Sequence, residues 1–134
     1  MRTTGLNLGL LVLRLGLAAM MFPHGWMKWE GREAMAANFP DPFNVGPQNS
    51  LYLAIFAEVA CSGLLAIGFL TRLACIPLIV TMCVAIFIAH GADPWAKKEL
   101  AAMYLTGYAT LFLTGPGAIS LDWLLWGRGG GDDE

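Results

Sequence analysis

Apolar residues gather into four runs along the 134-residue chain, divided by short polar stretches. The first, Leu6–Phe22, is interrupted only by Asn7 and Arg14 and predicts a helix over residues 6–24. A basic start before an apolar run is also the pattern of a secretory signal. Arg14, however, falls in the middle of what would be the signal's apolar region, so the segment reads as a retained membrane helix. The second run, Leu51–Leu70, carries one ionisable side chain, Glu58, and is long enough as a helix to cross a hydrocarbon core of about 30 Å. Thr71-Arg72 turns the chain into a third run over residues 73–90, with Pro77 near its start, where a missing donor costs least. The fourth, Leu100–Thr114, would be only about 22 Å long at the helical rise, short for a span. Gly115-Pro116-Gly117 ends it.

The connections have a character of their own. Between Gly25 and Ser50, Trp26, Lys28, Trp29, Arg32 and Glu33 precede the breakers Pro40, Pro42, Gly46 and Pro47. Aromatic rings beside charges suit the headgroup zone, with one short interfacial helix expected around Glu33–Asn38. After the fourth run, Ile119–Trp126 reads as a second interfacial piece with Asp122 on its polar side, and residues 127–134 as a disordered acidic tail. The expected fold is therefore all-α: a four-helix transmembrane bundle in one membrane domain, residues 1–126, with interfacial segments in the first loop and after helix four. Four spans place both termini on one side, and the five tryptophans then fall into two belts, Trp26, Trp29 and Trp95 against Trp123 and Trp126. Lys28, Arg32, Lys97 and Lys98 on the loop side nearly balance Arg2, Arg72, Arg128 and the amino terminus on the other, so the distribution of positive charge does not decide the orientation.

Composition agrees with a lipid solvent: 57% of residues are hydrophobic and 13% charged. A net charge of −2, its acidic part mostly in the tail, gives no surface for nucleic acid. Cys61, Cys75 and Cys83 lie in apolar runs without metal spacing and read as buried thiols; no haem or metal is expected.

Depth sorts the remaining polar residues. Counted from His24, Arg14 would lie about 15 Å in from the loop face, and Glu58, counted from Ser50, about 12 Å in from the same face, so the two can meet. His90 ends the third helix there, Glu99 opens the fourth, and Tyr104 and Tyr108 follow on one stripe. Polar groups of four segments thus converge in one leaflet, as a pocket open to the loop side requires. Two readings of Glu58 stand: a structural ion pair with Arg14, or a protonatable carboxylate beside a bound ligand. His24 and His90 are interfacial histidines bonded to loop carbonyls, donors to a quinone head group, or paired ligands. Tyr104 and Tyr108 divide between core packing and ligand contact, and Lys28 reads most simply as a headgroup-facing charge.

Taken in order, several motifs resemble the DoxX family of small bacterial membrane proteins. They are His24-Gly25 with Lys28, Glu58 before Ser62-Gly63-Leu64-Leu65, the turn Gly68-Phe69-Leu70-Thr71-Arg72, His90, Glu99, and Gly115-Pro116-Gly117-Ala118-Ile119-Ser120-Leu121-Asp122. The resemblance covers about Leu11 to Asp122. It implies a multi-pass protein of the bacterial inner membrane and a link to sulfur or oxidant metabolism, since relatives look like the membrane subunit of a thiosulfate:quinone oxidoreductase or partners in oxidant-detoxifying complexes. By matching position, it makes His24, Lys28, Glu58, Arg72, His90, Glu99 and Asp122 the signature polar residues.

Three functions follow. The first is a quinone-linked redox subunit, a component of a quinone-dependent oxidoreductase, with Glu58, His24 and His90 as proton-exchanging groups and Arg14, Lys28, Glu99, Tyr104 and Tyr108 around the ligand. Arg72 and Asp122 hold its structural motif. Electrons would come from a membrane or soluble protein partner, because the chain offers no Cys pair, haem site or nucleotide loop to store them. The second is a non-catalytic docking subunit whose Trp-rich loops meet a partner. The third is a small-molecule or proton carrier, which needs homo-oligomerisation to thicken its wall.

Overall fold

The computed structural model describes residues 2–127, and the expected acidic tail from residue 128 lies outside them. Among the described residues the chain is all-helical. The long helices are α1 (Arg2–Glu30), α3 (Pro47–Ile67), α4 (Thr71–Ala89) and α5 (Trp95–Thr114); a short helix, α2 (Arg32–Met35), follows α1 in the first loop. Helices α1, α3 and α4 are long and apolar enough to cross a membrane. Helix α5 is twenty residues, about 30 Å, but carries Lys97, Lys98 and Glu99 near its start.

Two boundaries differ most from the sequence-based expectation. Helix α1 continues to Glu30 instead of stopping at His24, because Pro23 and Gly25 are both accommodated inside it. Helix α5 begins at Trp95, five residues before Leu100, directly after Pro94 as N-cap. In both places packing against neighbouring helices outweighs a local breaker or a run of charge, since helical stability in a folded chain comes mainly from a buried face.

Pairwise packing runs from α1 to α3, α3 to α4 and α4 to α5, with α5 returning to α1; the α1–α3 contact is the most extensive. The core between them is made of Leu17 and Met21 from α1, Leu65 from α3, Leu78 from α4, and Tyr108 and Leu111 from α5. Gly25 decides how closely α1 can approach α3. A Cβ there would stand 2.7 Å from both Glu58 Cβ and Val59 Cγ2, so only glycine lets the backbone of α1 rest against Glu58.

The end of the molecule away from the long loop is tied by the two motifs singled out in the sequence. Gly68 ends α3 in the left-handed region, φ 73°, and a side chain at that position would run into the Arg14 guanidinium and Ser120. Leu70 and Thr71 N–H then donate to Asp122 Oδ1 and Oδ2, at 2.7 and 2.8 Å, and Asp122 N–H donates to Gly68 O at 2.8 Å. An anion thus caps the exposed donors at the α4 N-terminus. Arg72 does the converse for α5: its Nε and Nη2 donate to the last-turn carbonyls of Phe112 and Leu113, at 3.0 and 3.2 Å. Asn7 Oδ1 accepts from Ala118 N–H at 3.0 Å, which fastens α1 to the same knot.

Candidate functional site

Two of the candidate side chains are positioned by local irregularities in otherwise regular helices. Glu58 lies in a wide π-type turn, Phe56–Cys61, inside α3, and His90 follows directly on a second one, Ala85–Ala89, at the end of α4. Such turns insert a residue into the helical ladder and re-aim the side chains around it, and they recur at functional sites. Here both border one cavity of about 470 Å³, enclosed by α3, α4, the end of α1 and the loop before α3. Its wall is mostly apolar, with Lys28, Ser50, Glu58, Thr81 and His90 supplying the polar groups.

Glu58 is only 3% exposed, and its partner is Lys28, not Arg14: Lys28 Nζ donates to Glu58 Oε1 at 2.8 Å. The Arg14–Glu58 contact that the residue count allowed does not form, for a geometric reason. Because α1 runs on to Glu30 and Lys28 is level with Glu58, Arg14 lies fourteen residues away, about 21 Å toward the chain termini. There it is 1% exposed and donates from Nη2 to Ile119 O at 2.6 Å, near Asp122, so it takes no part in the cavity. Lys28, read as a headgroup charge, instead turns inward and remains 24% exposed.

His90 Nδ1 lies 2.9 Å from Asp93 Oδ2. That bond places the proton on Nδ1, so Nε2 of the neutral ring is an acceptor. His24 points elsewhere, edge-on to Tyr104 with ring centroids 6.0 Å apart, and is not part of the cavity wall. The two imidazoles share the loop-side end without facing each other across a common site. Tyr104 and Tyr108 stack at 6.0 Å within the core beside Glu58 and pack instead of lining the cavity. Glu99 is exposed on the first turns of α5, away from the wall.

The roof was not foreseen. Phe39, Pro40, Pro42 and Phe43 fold over the loop side of the cavity, and Asp41 between them holds the segment in place. Its carboxylate accepts from Val45 N–H, Gly46 N–H and Ser50 Oγ–H at 3.0, 2.9 and 2.8 Å. Desolvation pushes the Asp41 pKa up, but these bonds outweigh it and hold the carboxyl below its usual range. The Phe-Pro-Asp-Pro-Phe string signals a rigid turn in sequence, yet only the fold shows what the turn covers.

The arrangement can hold one amphiphile. An apolar wall takes a ring or chain, two N–H groups of Lys28 beyond the one bonded to Glu58 can donate to an acceptor, and Glu58 and His90 can exchange protons with it. A family model described as DoxX matches residues 9–91 of the chain. No curated protein and no solved structure matches it.

Proposed function

The chain belongs to the DoxX family, and from that membership together with the loop-side cavity we propose that it is a quinone-binding subunit of a membrane oxidoreductase. In this reading four helices span the bacterial inner membrane as a bundle, with α5 completing the set despite the charges at its loop-side end. The observation that carries it is the Lys28–Glu58 pair, 2.8 Å long, at the wall of an apolar cavity of about 470 Å³ that also receives His90. Ligand pockets are of this size and make-up, and a buried carboxylate at membrane depth is a functional group by default.

The residues fit a quinone head group: an apolar ring with two carbonyl oxygens finds donors in Lys28 and apolar contact on both helices. When bound, a quinone supplies two-electron acceptance, the electrons coming from a partner protein or a soluble reductant. Lys28 orients the head group. Glu58, tethered to Lys28, and His90, tethered to Asp93, hold the protons that must accompany the electrons. The Phe39–Phe43 roof keeps bulk water off the site.

The test is quinone content. Protein purified from its native membrane should carry about one quinone per chain by solvent extraction, and Lys28→Met or Glu58→Gln should lose most of it. Wild-type protein without quinone, or variants that keep it, would overturn the assignment. The docking-subunit reading draws on the same pair, because it joins α1 to α3. It would prevail if a stable heteromeric complex were isolated free of quinone, with Glu58→Gln disturbing assembly more than turnover.

A further inference from the structure

The cavity is a slot. On α4 its wall runs from Ile76 to His90, fourteen residues or about 21 Å along the axis. Lys28 and His90 stand at its loop-side part and Glu58 is its deepest lining residue on α3; Ile76 lies about 6 Å closer to the α3–α4 turn than Glu58, and the wall at that depth, Ile76 and Pro77, is apolar. The polar atom nearest this stretch, Thr81 Oγ1, is already spent on the carbonyl of Pro77 at 2.7 Å. The hydroxyl proton of this stretch is therefore engaged within α4, and the wall around it is apolar.

Its openings are unequal. The roof segment lines the loop side, pinned by the three hydrogen bonds to Asp41. Leu53 and Phe56 of α3 and Ile76 and Val80 of α4 line the slot yet remain exposed on the outer surface, at the depth of the acyl chains. The way in is sideways, between α3 and α4.

We propose that this slot is a lateral access path and tail channel, which admits the ligand from the bilayer and passes its prenyl tail out between α3 and α4, past Leu53, Phe56, Ile76 and Val80. The inference rests on the quinone reading above and adds what the head-group contacts leave open: the ligand class is a long-tailed membrane quinone, not a water-borne one. Hydrocarbon gains no hydrophobic energy on passing from lipid into an apolar slot, so selection there is by shape.

Two photoreactive benzoquinones test it with the full chain in lipid nanodiscs, one bearing a diazirine on the ring and one bearing it about two prenyl units along the tail. Excess unmodified long-tailed quinone serves as competitor. The ring probe should label the surroundings of Lys28 and His90, and the tail probe Leu53–Phe56 and Ile76–Val84. Val80→Trp, on the exposed rim, should cut competable tail labelling at least about tenfold by filling the slot, while Leu113→Trp on the outer face of α5 leaves it unchanged. Tail adducts on α1 or α5, with ring adducts still near Lys28, would overturn the channel and leave the quinone reading standing. Tail adducts competed by phospholipid but not by quinone would also overturn it. Failure of both probes to label competably would remove the quinone reading itself. The label positions in the wild type decide the matter even if Val80→Trp folds poorly.

Discussion

Replacing Lys28 with methionine leaves the Glu58 carboxylate 3% exposed and without its 2.8 Å partner. At that distance two unit charges attract by about 6 kcal/mol at an effective dielectric of about 20. Dehydrating the carboxylate consumes much of this attraction. What Lys28→Met measures is then the cost of stranding a buried charge, about 3–5 kcal/mol for a broken buried pair. Lys28 is itself 24% exposed, so solvent already weakens the pair and the expected loss is at the lower end, about 3 kcal/mol. The double variant Lys28→Met/Glu58→Gln has no charge to strand and should return to within about 1 kcal/mol of the wild type. Unfolding in mixed micelles, followed by far-ultraviolet circular dichroism across the four members of the cycle, reads both numbers. If Lys28→Met unfolds with the wild type, or the double variant is as unstable as Lys28→Met, the carboxylate is not held by this lysine and the account of the site fails.

Other perturbations separate the two ends of the molecule. Arg14→Met should leave quinone content at the wild-type level, because Arg14 bonds Ile119 O about 21 Å from Glu58; loss of quinone on solvent extraction would contradict that placement. Asp122→Ala strands the Leu70 and Thr71 N–H groups and should destabilise by about 1–2 kcal/mol, with Asp122→Asn costing less because it keeps an acceptor; the same micelle titration measures both. The folded-state pKa of Asp41 is depressed, so its hold on the roof is complete above the unfolded value near 3.8 and is lost as pH falls from there through the folded value. Amide exchange at Val45 and Gly46, corrected for intrinsic rates, should accelerate over that interval, and Asp41→Asn should show the fast exchange already at neutral pH.

How far the sequence could be read is clearest in Arg14 and Lys28. Both are cations on the first apolar helix, and the count from His24 selects Arg14 as the one that reaches Glu58. The helix continues six residues past His24, which is about 9 Å and enough to exchange the two candidates. Proline and glycine mark probable ends, but a packed face can carry a helix through them, and depth counted from a wrong end is wrong by the same amount. Glu58 needs no such count: a lone carboxylate in twenty apolar residues has to be buried with a partner wherever the neighbouring helices lie. Arg72 and Asp122 were legible as a motif but not as a mechanism. That one caps α5 and the other α4 follows only once the two chain segments are side by side.

By itself, then, the pattern of apolar runs determined the helical class, a lipid environment and the buried acid, because each follows from the cost of exposing hydrocarbon or burying charge and depends on composition over a few turns. Tertiary structure alone decided which cation meets the acid, that Tyr104 and Tyr108 pack in the core while His90 borders the cavity, and that Phe39–Phe43 lines its loop side. Those outcomes depend on helix ends, on the wide turns at Phe56–Cys61 and Ala85–Ala89, and on the close approach at Gly25. Each is set by contacts between residues distant in sequence, and no local preference along the chain encodes them.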